Sequence, residues 1–126
     1  MSDQKYLLNQ LLDQMANYLL NGHEIEFSEC VMEWYRKEYS CEQTPKPEST
    51  DLKRLAVKAS IMERLVEVLN AAPRYGHEIV PGWCKEIGAV PQPIKLQSDR
   101  LLEDEELCEA FRKRNLQVVK NFMYFI

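Results

Sequence analysis

Asp51-Leu52-Lys53-Arg54-Leu55-Ala56-Val57-Lys58-Ala59-Ser60-Ile61-Met62-Glu63-Arg64-Leu65-Val66-Glu67-Val68-Leu69-Asn70 is the stretch on which the fold turns. Its apolar residues recur at Leu52, Leu55, Ala59, Met62, Val66 and Leu69, in alternating steps of three and four, and a second row follows at Val57, Ile61, Leu65 and Val68. On a helical wheel the two rows cover roughly 200°, about twice the stripe of an ordinary surface helix. The spacing therefore predicts a central helix over residues 51–70 that is buried on two sides. Ser49 or Thr50 is placed to cap its first amides, Asp51 suits the positive end of the dipole, and Ala71-Ala72-Pro73 stops it.

The same reading extends in both directions. Leu8, Leu11, Leu12, Met15, Ala16 and Leu19 share one face of a helix from about Asp3 to Leu20, which Asn21-Gly22 ends because both tolerate a left-handed cap. A second helix is expected from Ser28 as N-cap, with Phe27 and Met32 spaced as a hydrophobic staple, presenting Val31, Trp34, Tyr35 and Tyr39. Residues 1–39 thus read as a helical hairpin, with the aromatic set assigned to the core. Residues 40–50 hold Pro45 and Pro47 and no large apolar side chain, and read as an exposed connector.

Beyond Pro73 the glycines and prolines forbid a long helix, yet Ile79, Val80, Trp83, Ile87, Val90, Ile94 and Leu96 are too apolar for a solvated loop. Residues 71–97 are therefore expected to form an ordered Pro-rich strap with one short helix at Trp83 to Ile87. Residues 98–126 are expected to form a last helix, from Ser98 or Asp104 to Arg114, and a tail. Leu101, Leu102, Leu107, Cys108 and Phe111 should face inward. The acidic opening at Glu103 to Glu106 and the basic close Arg112-Lys113-Arg114 both suit the macrodipole. Leu116 to Val119 fits either a short strand or a continued helix. The fold class expected is mainly α, a small single-domain bundle of about four helices with the strap and room for a short C-terminal strand.

Size and charge exclude several functions. With 126 residues the chain is one domain by length and buries about two thirds of the surface its unfolded state exposes. The net charge of -4, with acidic and basic residues interleaved, argues against nucleic acid or an anionic membrane as partner. The Leu-rich start is interrupted by Asn9, Gln10, Asp13, Gln14 and Asn17, too polar to span a bilayer. Four scattered cysteines without a CxxC pair read as reduced thiols in a cytoplasmic protein.

One internal echo bears on chemistry. Gly22-His23-Glu24-Ile25, four residues, then Cys30 matches Gly76-His77-Glu78-Ile79, four residues, then Cys84. Imidazole and thiolate are the ligands zinc prefers, so His23, Cys30, His77 and Cys84 form the candidate metal set; six intervening residues is loose for a structural zinc site. The HExxH pattern fails because Phe27 and Pro81 stand where its second histidine belongs. Cys84 beside Lys85, with His77 within the same strap, is the candidate thiol nucleophile, set against the commoner role of cysteine as a packing residue. No phosphate loop or nucleophile elbow exists. A metal-binding or thiol-dependent protein is therefore the alternative to a non-enzymatic binding module without a cofactor.

From Pro81 onward the order of motifs is Pro81-Gly82-Trp83, Val90-Pro91-Gln92-Pro93-Ile94-Lys95-Leu96, Glu106-Leu107-Cys108-Glu109, Phe111-Arg112-Lys113-Arg114-Asn115-Leu116-Gln117-Val118 and Asn121-Phe122. This third of the chain resembles the C-terminal part of a group of small uncharacterised bacterial proteins, some associated with genes for nucleotidyltransferase-like toxins. It departs from them at Met123-Tyr124-Phe125-Ile126, where they finish in more polar residues. The resemblance implies an antitoxin-like or otherwise partner-binding role. Apolar content outside regular helix makes Trp83, Phe122, Tyr124, Phe125 and Ile126 the candidate surface for a protein partner or for self-association.

Overall fold

The central helix is where its two apolar rows predict. In the computed structural model, which describes residues 2–71, 77–103 and 106–123, with Ser2 and Asp3 described by backbone only, it spans Leu52–Ala71. Ala56, Val57, Ala59, Ile61, Met62, Leu65 and Leu69 are fully buried in it, and Lys58 and Ser60 are buried with them. Leu52 is the exception: it is the first residue of the helix and is 44% exposed, facing an open depression beside Val90 to Ile94. The cap is Asp51, whose Oδ1 accepts the amides of Lys53 at 3.0 Å and Arg54 at 3.5 Å, while Ser49 Oγ accepts the Asp51 amide. A carboxylate one residue before the helix outcompetes the upstream hydroxyls because it also answers the dipole.

We number the helices in chain order: α1 is Ser2–Leu20, α2 is Glu24–Arg36 and α3 is the central helix Leu52–Ala71. The full expected face of α1, Leu8 through Leu19, is buried, and α1 packs against both α2 and α3. Both hairpin helices end in the same way. After α1 the His23 amide reaches Tyr18 O (2.8 Å) and the Gly22 amide Leu19 O, with Gly22 at φ 74°; after α2 the Tyr39 amide reaches Trp34 O and the Glu38 amide Tyr35 O, with Glu38 at φ 51°. These paired bonds are Schellman closures, which answer the carbonyls a helix end leaves over. The second helix begins at Glu24 rather than after Ser28. His23 O accepts the Phe27 amide, and the turn that closes one helix opens the next.

The expected exposed connector is pinned. Cys41, Thr44 and Pro47 are buried, the Cys41 amide donates to Glu78 Oε1 (2.9 Å), and Thr44 O accepts the Trp83 indole N–H (2.9 Å). A segment with no large apolar side chain is held by its backbone polar groups instead, which hydropathy does not register.

The strap is ordered through a 3-10 helix at Gly82–Glu86 and a strand β1 at Ile94–Lys95. The expected single last helix is two short ones, α4 at Asp99–Leu102 and α5 at Glu109–Arg112, followed by β2 at Leu116–Gln117. Strands β1 and β2 pair in parallel, Ile94 with Leu116 and Lys95 with Gln117. On the other side of the same chain, the Cys108 amide donates to Val118 O and the Lys120 amide to Glu106 O, around an antiparallel bridge from Leu107 to Val119. That pairing holds residues 106–108 extended and breaks the helix. It also leaves Leu101 47% exposed instead of inward. The chain is mainly helical and forms one small domain, as its periodicity indicates.

Candidate interaction surface

The repeated Gly-His-Glu-Ile string does not assemble. His23 and His77 are exposed, Cys30 and Cys84 are buried, and among the described residues no three His, Cys, Asp or Glu side chains cluster as a metal site would require. The described residues of the two copies adopt different structures, the first copy leading into α2 and residues 77–79 of the second lying outside regular secondary structure before the 3-10 helix. His23 and Glu78 have local structural roles. His23 follows the left-handed Gly22, and its ring lies 6.1 Å from that of Tyr18, the side-chain contact that accompanies a Schellman turn. Glu78 exchanges two hydrogen bonds with Asn70 at the end of α3, its amide to Asn70 Oδ1 (2.8 Å) and its carbonyl from Asn70 Nδ2 (3.1 Å).

The thiols are packing groups held protonated. Burial raises Cys30 to about 11, assisted by Glu33 and Glu29, and burial raises Cys84 to about 12, with Glu63 adding to it. Burial likewise raises Cys41 and Cys108. Lys85 does not activate Cys84, because desolvation disfavours the thiolate more than a solvated ammonium favours it.

Trp83 and Phe122, the described members of the apolar surface expected from sequence, are core residues. Trp83 is 8% exposed, with its indole N–H spent on Thr44. Phe122 lies between two rings, stacked on Phe27 of α2 at 5.4 Å and edge-on to Phe111 of α5 at 5.4 Å. The described part of the tail, Phe122 and Met123, docks on the chain's own core. Tyr124, Phe125 and Ile126 lie outside the described residues.

The basic triplet is divided among three environments. Arg112 pairs with Glu109 on the surface, Lys113 with Glu63, and Arg114 is buried. Arg114 makes five hydrogen bonds: to Glu63 Oε1 (3.0 Å) and Oε2 (2.9 Å), and to the carbonyls of Ile87 (3.1 Å), Ala110 (3.5 Å) and Cys84 (2.7 Å). Burial would raise the Glu63 carboxyl, but the hydrogen bonds from Arg114 and Lys113 outweigh it and hold it below its ordinary value. The guanidinium fork is fully satisfied, so this buried pair is a clamp between α3, the strap and α5. It presents nothing to a ligand.

The open feature lies on the hairpin. Between Gln14 and Tyr18 of α1 and the outer side of α2 runs a groove of about 840 Å³, lined also by Glu24, Ile25, Glu26, Glu29, Met32 and Glu33, with Cys30 at its floor and Arg36 at one end. Ile25 is 74% exposed, the most exposed large apolar side chain among the described residues. Glu26, Glu29 and Glu33 follow one another at helical spacing along one face. None of Glu24, Glu26, Glu29 and Glu33 forms an ion pair among the described residues. Glu42, Glu48 and Glu103 are likewise without one, but they lie apart from the groove, whereas these four line it together.

The sequence contains a signal for this site, the Glu stripe flanked by Ile25 and Met32, but helix charges on a solvent face are so common that the stripe alone does not stand out. The unpaired state of the carboxylates is visible only with every other charge in place. No helix among the described residues is long and apolar enough to cross a membrane. No protein-family model, no curated protein and no solved structure matches this chain.

Proposed function

We propose that the chain is a non-enzymatic protein-binding or regulatory module that engages its partner across the groove between α1 and α2. The observation that carries this reading is the exposed Ile25 set in a groove with four carboxylates that form no ion pair among the described residues, Arg36 lining one end. Tyr6, Leu7, Leu52 and Leu101 are also exposed on helices, but Ile25 shares a concave surface with Tyr18 and Met32, and apolar surface grouped within a polar rim is what marks a contact site. The Arg114 clamp and the raised thiols support a structural reading of the groups that would serve an enzyme. The antitoxin-like role implied by the resemblance of the C-terminal third is compatible with this module, and the hairpin would then be the element that meets the toxin. Four unbridged thiols support a reducing compartment, the cytoplasm, as its place of work.

The test uses two isoleucines of the repeated string. Ile25 and Ile79 are 74% and 55% exposed, so Ile25→Asp and Ile79→Asp add the same charge at solvated positions, one inside the groove and one outside it. In co-purification of the tagged full chain, a protein retained by the wild type and by Ile79→Asp is expected to be lost with Ile25→Asp. Equal recovery with both variants overturns the groove as the binding surface.

A further inference from the structure

The groove bounds its occupant by charge, shape and length. Glu24, Glu26, Glu29 and Glu33 set a negative rim that Arg36 meets only at one end, around apolar surface from Ile25, Tyr18 and Met32. A second copy of this chain seated face to face would bring two such rims together, and the like charges would oppose it. Phosphate-bearing polymers and anionic lipid surfaces are opposed by the same rim. A furrow between two packed helices accepts the side-chain ridge of a third helix. The length of α2, 13 residues, gives the furrow about 20 Å, or between three and four helical turns.

We infer that the groove receives a cationic amphipathic helix of a partner protein, about 13 residues long, whose apolar stripe covers Ile25 and Met32 while its Lys or Arg residues meet Glu26, Glu29 and Glu33. Apolar contact supplies the seat, and the rim selects the sign of the partner and speeds its approach. The inference rests on the reading of the groove as a partner-binding surface and adds the chemical class of what binds there.

Two synthetic helical peptides with the same Leu pattern, one with Lys and one with Glu at all polar positions, are titrated against the full chain at low salt and followed by fluorescence anisotropy. The Leu/Lys peptide is expected to bind saturably, and the Leu/Glu peptide not. Replacing Glu26, Glu29 and Glu33 together by Gln should weaken the Leu/Lys peptide about tenfold, since three exposed contacts of a few tenths of a kcal/mol each reach that factor. Replacing the exposed Glu42, Glu48 and Glu103 by Gln makes the same change in net charge and should leave the affinity within about twofold. Equal weakening by the two triple variants, equal binding of the two peptides, or the absence of saturable binding overturns the inference. A natural partner lost with Ile25→Asp while the Leu/Lys peptide fails to bind keeps the groove and rejects the cationic helix. Peptide binding alongside partner capture that ignores Ile25 rejects the groove as the functional surface.

Discussion

The hairpin and the C-terminal half solve the same problem by opposite means. In α1 and α2 the backbone satisfies itself, so apolar side chains do most of the holding, helped by Asp13 and Asn17 of α1 bonded to Arg54 and Lys58 of α3, and the outer faces remain open to solvent. From residue 78 onward the backbone is mostly irregular, and its carbonyls and amides need donors and acceptors from elsewhere. Long polar side chains provide them. Arg114 serves the carbonyls of Cys84, Ile87 and Ala110. Arg64 of α3 serves Phe122 O (2.7 Å) and Lys120 O (3.3 Å). Asn115, at φ 66°, gives its amide group to Val90 O, and Gln97 accepts the Val119 amide. The region with less regular secondary structure is therefore more densely cross-tied, while the regular hairpin keeps the exposed surface that a partner can use.

That contrast breaks most visibly at Arg114. Arg114→Met leaves Glu63 without its buried partner, removes the side-chain donor of the Ile87 and Ala110 carbonyls and leaves Cys84 O with the Ile87 amide alone, and should cost about 3–5 kcal/mol in urea unfolding. Amide exchange is expected to quicken first at Val90, Ile94 and Leu96, whose amides pair with the 114–117 segment, while the α1 amides stay protected. Arg114→Lys keeps the charge without the fork and should give an intermediate loss if the Met variant does not fold. Uniform loosening of hairpin and strap would show that the two regions are not separate in stability.

Acid sharpens the same comparison by a smaller effect. The folded state holds Glu63 below its ordinary value of 4.5, so the stabilisation is fully present above that pH and is lost as pH falls through the lower folded value. Asp13, held below 3.8 chiefly by its hydrogen bond from Lys58, follows the same sign on the hairpin side, but its side chain is 46% exposed and solvent screens the pair. Amide exchange in the strap should therefore respond to acid more than exchange in α1, and Glu63→Gln should flatten the strap's response. An unchanged acid profile in that variant would remove Glu63 from the account.

The smallest expected effect is at the hairpin turn. Gly22 sits at φ 74° with open space where a Cβ would be, so Gly22→Ala meets only the backbone penalty and should cost about 1 kcal/mol, with the helices retained by circular dichroism. A larger loss would show that the Schellman closure carries more of the hairpin than its packing does.

The helical elements were legible where apolar residues repeat at helical spacing and the partner surface is simply another apolar face. The faces of α1 and α3 needed no knowledge of what they would meet, apart from Leu52 at an uncovered end. The last helix misled because its Leu and Phe spacing carries no trace of Val118, Val119 and Lys120, which pull residues 106–108 into an extended pairing. Trp83 and Phe122 misled for the same reason. An apolar residue outside a helix reads as surface until the chain that covers it is in view.

By itself, then, the sequence determined a mainly helical single domain around a two-sided central helix, because burial of a periodic face is a local property of side-chain order. Tertiary structure alone decided that the connector is pinned, that Arg114 faces Glu63 from across the molecule, and that four glutamates on α2 form no ion pair among the described residues. Those outcomes depend on which distant groups arrive as partners. Electrostatic pairing and backbone satisfaction are sums over the whole molecule, and no window of residues contains them.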